Sequence, residues 1–100
     1  MTKYHNKRTN GYASKKEATR ATDLQTLAQA GIITELKEQP RFTLVPAQDG
    51  ERPIVYVADF SYTDDRGKFV VEDTKGFKTR EYIIKRKLFQ HKFGFKITEI

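Results

Sequence analysis

Two short apolar segments of this chain carry acidic side chains at positions where an unpaired charge is costly. Residues 54–62 contain Asp59, and residues 68–75 contain Asp73 and Lys75. Both segments are rich in β-branched and aromatic residues, so we expect two neighbouring β-strands. A buried carboxylate needs a cation, a metal ion or hydrogen-bond donors. Two acids and a lysine at neighbouring strand ends are therefore suited to hold a divalent metal ion and an attacking water.

The spacing within the second segment separates its two acids. Side chains two residues apart lie on the same face of a strand, which places Asp73 with Lys75 and turns Glu72 to the opposite face. We therefore expect Glu72 to be structural or at the surface. An ordinary salt bridge at a strand end is the alternative interpretation of the Asp73–Lys75 pair. Residues 64–67, with the sequence Asp-Asp-Arg-Gly, form the expected turn between the strands.

The size and composition favour one small soluble domain. The chain has 100 residues, of which 37% are hydrophobic, enough for a modest core. It has no cysteine, which excludes disulfides and thiolate metal sites. Its apolar stretches are too short to span a membrane, and its polar, basic start differs from a secretion signal. We expect a soluble, cytoplasmic protein.

The charge is distributed unevenly along the chain. Residues 1–20 carry a net charge of +5, residues 21–74 carry −5, and residues 75–100 carry +6. Two basic ends around an acidic middle are what a polyanion-binding surface around a metal site would require. Lysines that serve only solubility are the alternative.

The basic side chains that would contact nucleic acid fall into two groups. We expect residues 1–13 to form a basic arm and residues 14–100 to form a single domain. Phosphate contacts from such side chains set affinity without reading sequence. The candidates are Lys3, Lys7, Arg8, Lys15 and Lys16 near the start, and Lys78, Arg80, Lys85, Arg86 and Lys87 in the second helix region. His5 and His91 have no partner at ligand spacing, so we expect both at the surface.

Capping signals predict two helices. Ser14 begins a capping box with Glu17, and helix-forming residues continue until Gly31. Thr79 is a candidate N-cap for a second helix that ends at Gly94. Glu17 lies on the core-facing stripe of the first helix, which favours a role in a site. Its position in the capping box is an alternative explanation.

Further extended segments are expected at 32–36, 42–45 and 95–100. Gln39 and Pro40 divide the first two, because proline disfavours continuing a strand ladder. Gln39 is either an ordinary polar residue beside this turn or part of the site. The resulting order predicts an α/β (α+β) fold with a mixed sheet and helices on its faces.

The second helix is apolar on two sides. Tyr82, Phe89 and Phe93 share one face, whereas Ile84 and Leu88 lie nearly opposite. We expect one face to pack on the sheet and the other to meet the first helix or a second copy of the chain. The aromatic residues expected in the core or in an interface are Tyr62, Phe77, Tyr82, Phe89 and Phe93.

These motifs together resemble the PD-(D/E)XK nuclease superfamily over nearly the whole chain. The superfamily core is αβββαβ, and its signature is an aspartate at one strand end followed by acid-x-lysine in the next strand. Asp59 and the Asp73-Thr74-Lys75 segment match that signature. Glu17 matches the acid of the first helix and Gln39 matches the glutamine found in several branches. Ala58 replaces the proline of the motif.

Four segments resemble a narrower group of small phage-encoded proteins. These segments are residues 3–7, 14–18, 58–60 and 71–79. The group is similar to phage endonucleases that cut branched DNA, such as Holliday-junction resolvases. The resemblance implies a magnesium-dependent, structure-selective DNA endonuclease of phage recombination or DNA processing, acting in the cytoplasm of a bacterial host. Such enzymes place two symmetric cuts, which implies a homodimer.

The resemblance also implies a role for each site residue. Asp59 and Asp73 would ligate Mg²⁺, for which Mn²⁺ would substitute, and the Thr74 carbonyl would be a further ligand. Glu17 would act through a bound water or a second ion. Lys75 would position or deprotonate the attacking water and offset charge on the phosphate. No organic cofactor is expected.

Two alternatives retain the fold but change the function. The first is a non-catalytic nucleic-acid-binding or interaction module of a phage replication or packaging complex. The second is a sequence-specific or end-specific nuclease within a larger machine. The intact Asp59, Asp73 and Lys75 argue against a pure binding module, because such a module has no use for acids aimed at phosphate.

Overall fold

The protein is a mixed α and β fold of two helices and six strands, described by a computed structural model for residues 11–100. In chain order the elements are α1 (Lys15–Gln29), β1 (Thr34–Glu38), β2 (Arg41–Val45), β3 (Ile54–Val57), β4 (Phe60–Thr63), β5 (Phe69–Asp73), α2 (Arg80–Phe93) and β6 (Thr98–Glu99). A four-stranded sheet has the order β1-β4-β5-β6, and β2 and β3 form a separate two-stranded sheet. Without that pair, the order of elements is αβββαβ. The predicted mixed sheet with flanking helices is confirmed.

Both helices begin at the predicted caps. The Ser14 hydroxyl accepts a hydrogen bond from the Glu17 N–H at 3.1 Å, and the Thr79 hydroxyl accepts one from the Tyr82 N–H at 3.1 Å. Gly94 ends α2 in the left-handed conformation, with φ of 80°. Within residues 11–100, neither helix has the length and apolar character needed to cross a membrane.

Helix α1 covers one face of the four-stranded sheet. Ala21 and Leu24 of α1 are buried in a cluster with Phe60 and Tyr62 of β4. Glu17 precedes Ala21 by one turn and is itself 4% exposed. The predicted core-facing stripe of α1 is therefore confirmed, and it includes the glutamate.

Helix α2 and the β2–β3 pair cover the opposite face. Val71 of β5 lies in a second buried cluster with Tyr82 and Phe89 of α2 and Tyr56 of β3. Phe89 makes an edge-to-face contact with Phe42 of β2, with ring centroids 5.2 Å apart. The β2–β3 pair is thus fixed to the domain through α2.

The prediction of one strand over 54–62 is wrong at its centre. The segment divides at residues 58–59 into β3, which pairs with β2, and β4, which pairs with β1. Arg41 lies opposite Val57, and Glu38 lies opposite Phe60, which is the register that one continuous hairpin would have. Together the four strands are one long hairpin that bends from one sheet into the other.

The bend arises where Gln39 faces Asp59. Gln39 has a left-handed backbone with φ of 58°, and Pro40 has no N–H to donate to a ladder. The Gln39 N–H donates to the Asp59 carbonyl at 3.0 Å, and the Ala58 N–H donates to the Pro40 carbonyl at 3.0 Å. Pairing therefore continues through the bend, although the strand geometry is interrupted.

The ends of the remaining strands also differ from expectation. The strands expected at 32–36 and 42–45 lie at 34–38 and 41–45, in different sheets. Strand β5 stops at Asp73 instead of residue 75, because the next N–H, that of Thr74, donates to a carboxylate instead of a neighbouring strand. Only Thr98–Glu99 of the expected last strand is extended, and it pairs parallel to the end of β5.

The prediction of a second apolar face on α2 is largely wrong. Leu88 packs against the core cluster, so only Ile84 of the expected pair remains well exposed. Phe93 is partly exposed and contacts Phe42, with ring centroids 5.8 Å apart. Phe77 does not enter the core: it is 81% exposed, more than any other large apolar side chain of the described residues.

Candidate functional site

Asp59 lies at the bend, where backbone contacts hold it from both sides. Its N–H donates to the Glu72 carbonyl of β5 at 3.1 Å, and its carbonyl accepts from Gln39. Its carboxylate Oδ2 accepts two hydrogen bonds from Thr74, from the backbone N–H and from the hydroxyl, each at 2.7 Å. Both Thr74 donors therefore go to one carboxylate oxygen, which orients the Asp59 side chain.

Asp73 is the most unusual group of the site, because its carboxylate is buried with incomplete pairing. It is 1% exposed, and its Oδ2 accepts a hydrogen bond from the Tyr56 hydroxyl of β3. Within residues 11–100 its other oxygen, Oδ1, is buried without a hydrogen-bond partner. Burial is the main cause that raises the pKa of Asp73 to about 6, and the Asp59 carboxylate adds to the rise, whereas Tyr56 and Lys75 oppose it.

Lys75 provides a positive charge close to this buried oxygen. Its Nζ lies 3.9 Å from Asp73 Oδ1, at the limit of an ion pair, with the side chain 41% exposed. The same ammonium lies 5.5 Å from the centre of the Tyr82 ring. Lys75 thus lies between the buried carboxylate and solvent, where it can meet an incoming anion.

Glu17 and Gln39 join the site through one hydrogen bond. Gln39 Nε2 donates to Glu17 Oε2 at 3.1 Å, and the Gln39 backbone binds Asp59. The backbone N–H of Glu17 donates to the Ser14 hydroxyl at 3.1 Å, which is one half of the predicted capping box. Gln39 therefore connects the acid of α1 to the bend that carries Asp59.

The predicted site residues are brought to one end of the sheet, but they do not form a three-acid cluster. Within residues 11–100, no group of three or more histidine, cysteine, aspartate or glutamate side chains is placed to hold a metal ion. Asp59 lies close enough to Asp73 for its carboxylate to add to the rise in the pKa of Asp73. We call these two residues the acidic pair.

Two carboxylates, as in the acidic pair, suit a magnesium ion better than a closed cage of many protein ligands would. Mg²⁺ keeps several waters and is held by one or two carboxylates. Asp73 Oδ1, which has no hydrogen-bond partner among residues 11–100, is a hard oxygen that a cation would satisfy. Asp59 and Asp73 are thus the residues that would hold the ion. The Thr74 carbonyl remains a predicted ligand, whereas its N–H and hydroxyl serve to hold Asp59.

Sequence reasoning missed Tyr56, which is the direct partner of Asp73. A buried tyrosine hydroxyl needs a hydrogen-bond partner. The presence of a tyrosine in the apolar segment around residue 56 is therefore the one sequence feature that could have indicated a polar contact there. Burial, together with the hydrogen bond to Asp73, raises the pKa of Tyr56, so the tyrosine acts as a donor.

Glu72 has a structural role on the opposite face of β5. It is buried and forms a two-point ion pair with Arg20 of α1, with distances of 2.8 and 2.6 Å, and it accepts a hydrogen bond from the Tyr62 hydroxyl. Burial, together with this hydrogen bond, raises the pKa of Tyr62 to about 12. The alternation of Glu72 and Asp73 between faces is as predicted.

Several of the predicted DNA-binding side chains have partners within the chain. Lys78 and Arg86 lie 3.9 and 2.9 Å from Glu99, and Lys85 lies 3.1 Å from Glu81. Lys16 donates to the Ile100 carbonyl at 2.6 Å. Lys15, Arg80 and Lys87 are exposed, as is His91. Lys3, Lys7, Arg8 and His5 lie outside the described residues.

Comparison with known proteins identifies the family of this chain. The search of curated proteins and the search of solved structures each returned no match. One family model matches residues 1–99, and its description is "Protein of unknown function (DUF1064)". Because that match covers almost the whole length, the chain belongs to the DUF1064 family.

Proposed function

We propose that this protein is a divalent-metal-dependent DNA endonuclease that is selective for branched DNA. The observation that carries the proposal is the acidic pair, in which a buried carboxylate oxygen has no hydrogen-bond partner among the described residues and faces Lys75 at 3.9 Å. A carboxylate kept in this state is costly for a purely structural role. It becomes favourable when a cation is held there.

The residues of the site divide the work of phosphodiester hydrolysis. Asp59 and Asp73 would hold a Mg²⁺ ion, which would supply a polarised water and screen the phosphate charge. Thr74 and Tyr56 fix the two carboxylates. Lys75 orients the attacking water and offsets the charge that develops on the phosphate.

The surface around α2 supports a nucleic-acid substrate. Residues 75–100 contain eight basic and two acidic side chains. Lys75 is the first of these basic groups along the chain, so a phosphate backbone bound along α2 would pass the acidic pair. Contacts of this kind recognise the shape of DNA without reading its bases, which supports a branched substrate. A two-fold dimer would allow paired cuts, and Ile84 is the most exposed large apolar residue of α2 that is available to it.

The test is a cleavage assay with three DNA substrates. Supercoiled plasmid, linear duplex and a synthetic four-way junction are each incubated with Mg²⁺ or with chelator. We expect cutting of the junction that requires metal. Asp73→Asn and Lys75→Ala should keep the fold, by circular dichroism, and lose cleavage by at least about a hundredfold.

Two matched controls separate charge from position. Asp65→Asn and Lys68→Ala also replace an aspartate by asparagine and a lysine by alanine. Both residues are exposed and lie in or beside the β4–β5 turn, at the end of the sheet opposite the acidic pair. Both should cut like the wild type. Undiminished metal-dependent cutting by Asp73→Asn or Lys75→Ala would refute the assignment. Binding of the junction without cutting by the wild type would instead identify a binding module.

A further inference from the structure

Phe77 is exposed in the short connection between the acidic pair and α2. Its 81% exposure is unusual for a large aromatic side chain, and the flanking Lys75, Lys78 and Arg80 make the connection basic. An aromatic ring displayed among cations is the arrangement that proteins use to stack on nucleobases while binding phosphates.

A groove lies beside this connection and is lined by residues at both of its ends. Strand β3 forms one wall with Val55 and Val57, and the first two turns of α2 form the other with Tyr82 and Lys85. Lys75 and Thr79 also line the groove, so the connection that carries Phe77 starts and ends at it. Its volume is about 310 Å³, at the lower end of the range for sites that hold a small organic molecule.

The chemistry of the groove matches one nucleotide. Val55 and Val57 offer an apolar surface to a base, and Lys75 and Lys85 offer ammonium groups to a phosphate. Lys85 is engaged with Glu81 at 3.1 Å, but that glutamate is largely exposed and its ion pair is easily exchanged. A base within a duplex is stacked on both faces and cannot lie against Phe77 or the valines. The occupant must therefore be an unpaired nucleotide.

We infer that this groove and Phe77 bind an unpaired nucleotide of the DNA, with the base against the apolar surfaces and the phosphate at Lys75 and Lys85. The inference rests on the proposed function, because it takes the bound strand to be the one that reaches the acidic pair. It adds the substrate class: DNA in which an unpaired strand adjoins a duplex, such as a flap, a loop or an open branch point.

The test uses a tryptophan introduced at Phe77, since the chain has none of its own. The Phe77→Trp variant, in chelator to prevent cleavage, is titrated with a single-stranded oligothymidylate of about 12 nucleotides and with a blunt duplex of the same length. We expect the fluorescence of the tryptophan to be quenched by the single strand and not by the duplex. Phe77→Ala should weaken single-strand binding about tenfold and leave duplex binding unchanged.

Ile32→Trp provides the matched control. Ile32 is also exposed, but it precedes β1 at the Thr34–Thr63 end of the sheet, away from the acidic pair. Its fluorescence should not respond to either DNA. Equal quenching of the tryptophan at 77 by both DNAs, or by neither, overturns the inference. A spectral change with protein concentration alone also overturns it, because it would place Phe77 in contact with a second copy.

The outcomes distinguish this inference from the proposed function. Selective quenching in chelator without junction cutting in Mg²⁺ would support the nucleotide site and reject the nuclease. Junction cutting with a tryptophan at 77 that is insensitive to single strands would support the nuclease and reject the nucleotide site.

Discussion

Replacing Asp73 by asparagine should change how the stability of the protein depends on pH. The buried carboxyl group has its pKa raised from 3.8 to about 6, mainly by burial. The folded protein therefore holds this proton more tightly than the unfolded chain does. As the pH increases through that interval, the unfolded chain loses the proton first, so the free energy of unfolding falls.

The size of the effect follows from the two pKa values. A rise of the pKa from 3.8 to about 6 corresponds to about 3 kcal/mol of unfolding free energy. Relative to low pH, the free energy of unfolding has decreased by this full amount only well above pH 6. About 2 kcal/mol of this falls between about pH 4.5 and pH 8, where the protein can be studied conveniently. Asp73→Asn removes the titrating group, so the variant should gain that amount relative to the wild type across the same interval.

The assay is urea unfolding followed by circular dichroism at several pH values, in chelator. Comparing the two proteins at each pH removes the contribution of every other titrating group that the substitution leaves unchanged. Asp65→Asn, at an exposed position of the β4–β5 turn, controls for the loss of a charge. If the difference between wild type and Asp73→Asn stayed constant with pH, the reasoning about this carboxylate would be refuted.

Three further predictions concern groups around the site. Arg20→Met should lower the free energy of unfolding by about 3 kcal/mol, because Glu72 would be left buried without its cation; a loss below about 1 kcal/mol in urea unfolding would contradict this. Thr74→Val should lower the free energy of unfolding by about 1 kcal/mol, because it removes one of the two donors to Asp59. It should also weaken Mn²⁺ binding about tenfold, as measured by calorimetry, and unchanged Mn²⁺ affinity would count against a role of Thr74 in orienting Asp59. Mn²⁺ should raise the thermal midpoint of the wild type but not of Asp59→Asn, and an equal rise in both would place the ion elsewhere.

The helix ends could be predicted because their causes are local. The Ser14 and Thr79 hydroxyls bind N–H groups three residues away, and Gly94 needs only its own left-handed backbone. Such contacts are encoded within a few residues of sequence. The alternation of Glu72 and Asp73 is equally local, since it follows from the pleat of one strand.

The bend and the full surroundings of Asp73 could not be predicted because they depend on distant partners. The division of residues 54–63 reflects the conformation of Gln39 and Pro40, some twenty residues earlier, instead of any breaker at Asp59 itself. The contact of Tyr56 with Asp73 spans 17 residues and exists only because the hairpin folds over the α2 side of the sheet. Asp59, Asp73 and Lys75 were identified by their spacing, whereas the tyrosine that holds one of them was not.

The bend at Gln39 makes one β-ribbon belong to both layers of the molecule. The half with Asp59 is part of the main sheet, and the half with Tyr56 lies against α2. Tilting the outer half would draw the tyrosine hydroxyl away from Asp73 while Asp59 stayed in place. The contact that holds Asp73 therefore depends on the position of the outer half of the ribbon, and we expect a substitution at the tip of the ribbon to affect this carboxylate without touching it.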